Sequence, residues 1–94
     1  MIRVLAISGS LRRASTNTAL LRAMAANAPV GMQIDLFEDL GGLPIFNPDL
    51  EGDETPESVL HLASRLRSSD GMIIACPEYA HGIPGGFKNA LDWL

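Results

Sequence analysis

Hydrophobic and polar positions along this chain alternate between two rhythms. Ile2 to Ser8 is a short apolar run rich in branched side chains, which predicts a buried β-strand. After a polar loop, Gly9 to Thr16, the residues Asn17, Leu20, Leu21, Met24 and Ala28 recur at helical spacing, with Ser15 or Thr16 placed to cap the helix. Pro29 and Gly31 end that helix. Met32, Ile34 and Leu36 then alternate with Gln33 and Asp35, the pattern of a half-exposed strand at a sheet edge. A loop rich in Gly and Pro runs from Gly41 to Asp53. Beyond it Thr55 is placed as a helix cap and Pro56 as the first helical residue, with Val59, Leu62, Ala63 and Leu66 on one face. Arg65 and Arg67 fall near that helix's end, where positive charge suits the dipole. Gly71 to Cys76 reads as a strand apolar on both faces, followed by a loop from Pro77 to Gly82. Pro84 opens a last helix, with Phe87, Ala90, Leu91 and Leu94 on one side.

The order strand, helix, strand, helix, strand, helix implies an α/β fold. Its sheet is parallel, reached by right-handed crossovers and covered on both faces. The chain has 94 residues, room for one domain. The last helix ends without a stop signal, and the third strand is built for neighbours on both sides. The expectation is therefore that residues 1–94 form the N-terminal part of a single domain, truncated before further strand–helix units.

Composition narrows the function classes. The net charge is -4, from 7 basic and 11 acidic residues, which argues against a nucleic-acid partner that would require a basic face. No apolar run approaches the length of a membrane span, and the N-terminus lacks the apolar core of a signal peptide. The single cysteine, Cys76, cannot form an internal disulfide, so a cytoplasmic protein is expected. Within its apolar run Cys76 reads as a small buried hydrophobe. No group of His, Cys and acidic residues has metal-ligand spacing, so no metal is expected.

Two loops carry candidate chemistry. Gly9-Ser10-Leu11-Arg12-Arg13-Ala14-Ser15-Thr16-Asn17 joins a strand to a helix. At such a junction the free N–H groups of the helix start, with hydroxyls, an amide and a guanidinium, suit a phosphate dianion. The loop lacks the Gly-Lys-Ser/Thr ending of a Walker loop and the three glycines of the dinucleotide turn. A plain polar loop with an N-cap remains the alternative. The second loop, Pro77-Glu78-Tyr79-Ala80-His81-Gly82, runs through Ile83 into Pro84-Gly85-Gly86. Its glycines allow close backbone approach and Tyr79 could wall a planar ring. The alternative is a helix-entry turn with a solvent-facing aromatic.

Together these segments resemble the NADPH-dependent FMN reductases, a family that includes quinone, chromate and azo reductases. Gly9-Ser10-Leu11-Arg12 with Ser15 and Asn17 is similar to the family's phosphate loop. Pro77-Glu78-Tyr79, then Pro84-Gly85 and Lys88-Asn89-Ala90-Leu91-Asp92-Trp93, is similar to its flavin-ring loop and the helix after it. Leu43-Pro44-Ile45-Phe46-Asn47-Pro48-Asp49 resembles its loop after the second strand. The resemblance spans nearly the whole chain.

It implies a flavodoxin-like three-layer fold with five parallel strands in the order 2-1-3-4-5, of which this chain supplies the first three. It implies FMN as cofactor, its phosphate held by Ser10, Arg12, Ser15 and Asn17 with the Thr16 backbone amide, and its ring bordered by Pro77, Glu78, Tyr79 and Ala80. Ala80 departs from the family, many of whose members carry Asn there. The implied activity is an oxidoreductase that takes hydride from NAD(P)H. It passes electrons to a small acceptor such as a quinone, an azo compound, a metal oxyanion or free flavin. The implied assembly is a homodimer or homotetramer. A flavodoxin-type electron carrier is one alternative, although Arg12 departs from the Ser/Thr/Gly-rich loop of such carriers; an inactive FMN-binding fragment is another. No residue is assigned a catalytic role. Hydride transfer to a flavin needs no protein acid, so His81 is left outside the machinery. Lys88, Asn89 and Asp92 are expected to stabilise the last helix and its neighbours, Trp93 to lie in the core or an interface, and His61 on the surface.

Overall fold

The computed structural model describes residues 1–9, 16–77 and 82–94. Three strands, β1 (Ile2–Ser8), β2 (Met32–Phe37) and β3 (Gly71–Ala75), form one parallel sheet in the order β2-β1-β3. This is the first part of the expected 2-1-3-4-5 order. Three helices, α1 (Thr16–Ala26), α2 (Glu57–Arg67) and α3 (Gly85–Trp93), complete the alternation. Because β2 lies on one side of β1 and β3 on the other, the two crossovers run in opposite directions. Right-handed connections then place α1 and α2 on opposite faces.

The parity of β1 records this arrangement. Leu5 and Ile7 join one core cluster with Phe37, Leu40, Leu43, Val59, Leu62, Phe87, Ala90 and Trp93, so their face of the sheet packs under α2 and α3. Val4, Ala6 and Ser8 point the other way, and all are buried. There Ser8 Oγ meets Thr18 Oγ1 of α1 at 2.6 Å. A buried hydroxyl pair of this kind satisfies two groups that would otherwise be costly to desolvate.

Several expected details differ. β2 is an edge strand, but its last residue, Phe37, is buried on the face opposite Ile34 and Leu36, where the Arg65 guanidinium lies 5.7 Å from its ring centroid. Arg65 also donates to Leu36 O at 3.1 Å, which ties α2 to the end of β2. In α1 the inward residues are Thr18 and Leu21; Leu20 is exposed and Ala28 lies beyond the helix end. The helix stops at Ala26 because Asn27 turns back, its side chain donating to Ala23 O at 2.7 Å. Thr55 does not cap α2. Its hydroxyl donates to Gly52 O and closes the preceding 3-10 turn, Gly52–Glu54, while Pro56 is the residue before the helix rather than the first within it. Two further 3-10 turns, Leu40–Gly42 and Pro48–Leu50, order the expected loop. In α3 the buried face is Phe87, Ala90 and Trp93; Leu91 and Leu94 point to solvent.

At the carboxyl end of the sheet Gly9 N–H donates to Ala75 O at 2.8 Å, so backbone pairing continues one residue past β1. A Cβ at Gly9 would overlap Cys76 Sγ and stand 3.2 Å from Cys76 Cβ and 3.3 Å from its Cα. Only glycine fits there without displacing a neighbour. On the outer edge of β3, Met72 is 51% and Ile74 41% exposed, although both share the face of Leu5 and Ile7 through strand register.

Two predictions follow from this packing. Gly9→Ala should lower stability by about 1–3 kcal/mol through overpacking. Cys76→Ala, which removes the overlapping sulfur, should return part of that loss in the double variant, as read by urea unfolding of all four proteins. Strictly additive effects would mean that the contact does not set the spacing. For the β3 edge, Met72→Lys should reduce self-association measured by light scattering across a concentration series, because a charge on an exposed strand face opposes edge-to-edge pairing.

Candidate functional site

Parallel α/β sheets bind ligands beyond the carboxyl ends of their strands, where the chain reverses its direction of travel across the sheet. Here that point lies between β1 and β3, since the chain moves from β1 to β2 on one side and then returns past β1 to β3. The segments leaving these two strands are the two loops singled out above, and the Gly9–Cys76 approach brings their first residues into contact.

The first of these segments leads into α1. Thr16 and Asn17 form the start of this 11-residue helix, Thr16 exposed and Asn17 half-buried. The first turn carries no acidic residue, so nothing there offsets the partial positive charge of the helix start. The Ser8–Thr18 hydroxyl pair ties this turn to the end of β1 and fixes where the helix points. Ser10, Arg12 and Ser15 lie outside the described residues, as does Arg13.

The second side begins at Cys76 and Pro77, both half-buried. Cys76 packs against the core cluster, and burial pushes its thiol pKa up. The group is therefore a neutral packing element rather than a reactive thiolate at neutral pH, as its apolar surroundings imply. Glu78, Tyr79, Ala80 and His81 lie outside the described residues. The chain re-enters at Gly82, and Pro84, buried, precedes α3. Helix α3 carries the i,i+4 ion pair Lys88–Asp92 on its exposed side, which fits the expectation that these residues stabilise the helix.

Asn89 stabilises a neighbour of the helix, as expected, and that neighbour is the loop after β2. Asn89 Oδ1 accepts from Phe46 N–H at 2.7 Å and its Nδ2 donates to Pro44 O at 2.8 Å. Trp93 Nε1 donates to the same carbonyl at 2.8 Å, and the Phe46 ring meets Trp93 edge-on with centroids 5.0 Å apart. The loop after β2 is thus fastened to α3 by side chains. The only sequence signal was the i,i+4 spacing of Asn89 and Trp93, which places both on one helix face.

A cavity of about 540 Å³ lies between the end of β2 and the start of α2, lined by Phe37, Asp39, Gly42, Leu43, Glu57, Ser58 and His61. It carries two carboxylates and stands away from the β1–β3 junction, so it suits neither a phosphate nor the reversal point. Among the described residues no three His, Cys, Asp or Glu side chains gather to hold a metal ion, and no helix is long and apolar enough to cross a membrane.

Comparison with known proteins agrees with this geometry. The profile of the NADPH-dependent FMN reductase family matches residues 2–94. A quinone reductase of Escherichia coli (strain K12) is 36% identical over 94 residues, covering 99% of this chain and 50% of the relative. An NAD(P)H-dependent FMN reductase of Pseudomonas aeruginosa is 40% identical over 92 residues, covering 98% of this chain and 49% of the relative. Among solved structures, FerB from Paracoccus denitrificans, a flavoenzyme NAD(P)H:(acceptor) oxidoreductase, superposes with a TM-score of 0.87 at 39% identity, over 99% of this chain and 50% of that one. The chain spans about half the length of these relatives. On the family match, the strand order and the paired loops, this chain belongs to the NADPH-dependent FMN reductase family.

Proposed function

We propose that this chain is the N-terminal part of an FMN-binding domain in an NAD(P)H-dependent oxidoreductase whose acceptor is a small molecule of the quinone class. The observation that carries the reading is the Gly9–Cys76 contact. It sets the residues from which the two loops depart, Gly9 and Cys76, side by side at the reversal point, at the same end of the sheet as a helix start that bears no acidic residue. Such a crevice suits a cofactor with a phosphate at one end and a planar ring at the other.

The residues fit FMN. Thr16 and Asn17 offer a hydroxyl, an amide and helix N–H groups to the phosphate, and Ser10, Arg12 and Ser15 add two hydroxyls and a guanidinium. Pro77, Glu78, Tyr79 and Ala80 border the ring, with Ala80 unable to make the side-chain hydrogen bond an Asn would offer. Bound FMN supplies the redox chemistry, accepting hydride from NAD(P)H and returning two electrons to the acceptor. The chain's own residues bind, orient and exclude water. A quinone would leave as the hydroquinone, having gained two electrons, one proton that entered with the hydride and one from solvent. Azo compounds, metal oxyanions and free flavin are further acceptors within the same scheme. A cytoplasmic homodimer or homotetramer is the assembly this reading carries. Steady-state oxidation of NAD(P)H with a quinone tests the reading, since a pure electron carrier binds FMN without that turnover.

In the complete domain, where both variants below are to be measured, Arg12→Ala should weaken FMN binding about tenfold to a hundredfold, the effect of losing one charge-assisted hydrogen bond worth roughly 1.5–3 kcal/mol. Fluorescence quenching of FMN measures it, and an affinity within twofold of the parent would remove Arg12 from the phosphate site. His81→Ala should leave the reduction of bound FMN by NAD(P)H near the parental rate in stopped flow. Collapse of that half-reaction with FMN still bound would give His81 a direct role.

A further inference from the structure

Ser8 is the last residue of β1 and Thr18 the third residue of α1, and their hydroxyl oxygens stand 2.6 Å apart. Both residues are buried, at 3% and 6% exposure, between the strand and the helix of this chain. Ser8 lies opposite Ala75 in the pairing of β1 with β3, and the N–H of the next residue, Gly9, donates to Ala75 O at 2.8 Å. The first turn of α1 is therefore joined to the carboxyl ends of β1 and β3 by two hydrogen bonds and the Ser8–Gly9 peptide. Leu21 of α1 is also fully buried, and Val4 and Ala6 share the face of β1 that carries Ser8. Apolar burial of that kind holds a helix against a sheet but is non-directional. A bond between two hydroxyls is confined to a narrow range of distance and angle. The Ser8–Thr18 pair thus sets where α1 begins relative to the strand ends. What begins there is a turn whose N–H groups have no acceptor within the helix.

We propose that Ser8 and Thr18 are positioning residues for the FMN phosphate. They act through the start of α1 rather than by touching the ligand. Their hydroxyl pair holds Thr16, Asn17 and the N–H groups of the first turn at a set distance from the β1–β3 junction, so that the phosphate meets donors already in place. The inference rests on the reading of α1's start as the phosphate side of an FMN site, and it adds which buried pair aligns that side.

The test measures FMN and riboflavin affinities by fluorescence quenching, and stability by urea unfolding, in the complete domain. The two flavins differ only in the phosphate, so the ratio of their affinities reports the phosphate side alone. Thr18→Val nearly keeps the shape of the side chain and removes its hydroxyl. It should weaken FMN about fivefold to tenfold, the scale of one lost hydrogen bond, while riboflavin stays within about twofold of the parent. Thr18→Ser keeps the hydroxyl and should recover most of the FMN affinity. Thr18→Val and Ser8→Ala each leave a buried hydroxyl one bond poorer and should lower stability, whereas Ser8→Ala/Thr18→Val removes both groups and should regain most of that loss. The double variant should still bind FMN as weakly as Thr18→Val, a result that a purely structural pair would not give. Val59→Ala, on the core face of α2, should lower stability and leave the parental ratio unchanged. A parent that favours FMN over riboflavin, with a double variant that is stable and keeps the parental ratio, would overturn the assignment of Ser8 and Thr18 alone. A parent that binds both flavins equally would overturn the phosphate reading of α1 and this inference with it.

Discussion

Everything in this structure depends on β1 being buried on both faces at once. Leu5 and Ile7 must fit the layer formed by α2 and α3, while Ala6 and Ser8 must fit the closer layer formed by α1. A slip of one residue would put leucine where alanine sits and would separate Ser8 from its hydroxyl partner, so the register is strongly specified. The same two-sided burial requires a neighbour on each edge of β1. Those neighbours, β2 and β3, are reached by crossovers in opposite directions, and this creates the reversal point. The position of the crevice is a consequence of the strand that cannot be exposed.

What was legible in the sequence follows from how local each signal is. The three strands could be read because branched apolar runs bounded by glycine and proline mark them without reference to anything distant. Helix faces were read less well. In α3, Phe87, Ala90, Leu91 and Leu94 fit an apolar stripe; the observed face keeps Phe87 and Ala90 but turns toward Trp93, because that residue has a hydrogen-bond acceptor in Pro44, 49 positions away. Phe37 was hidden for a related reason. The alternation of Met32, Ile34 and Leu36 pointed to one covered face, but the end of β2 passes beneath the Arg65 side chain of α2 and is covered on the other. Thr55 looked like a cap for the next helix and instead closes the turn before it, since Gly52, at φ +80°, brings its own carbonyl within reach.

The two loops of the site were legible as chemistry before they were legible as neighbours. Free N–H groups, hydroxyls and a guanidinium in one stretch suggest an anion, and glycines near a tyrosine suggest a planar ring. That they begin side by side is decided by Gly9 and Cys76, a glycine and a small apolar residue 67 positions apart, neither of which carries chemistry. Their contact fixes the spacing of the two starting points because a side chain at position 9 has nowhere to go.

The carboxyl end of the sheet thus has two mechanical supports among the described residues. One is β1 with α1, joined through Ser8 and Thr18. The other is β3 with α3, and α3 also holds the loop after β2 through Asn89 and Trp93. A displacement of α3 would carry the loop after β2 with it, because three side-chain hydrogen bonds join the two. It would reach α1 chiefly across the Gly9–Cys76 contact, where two neutral residues meet.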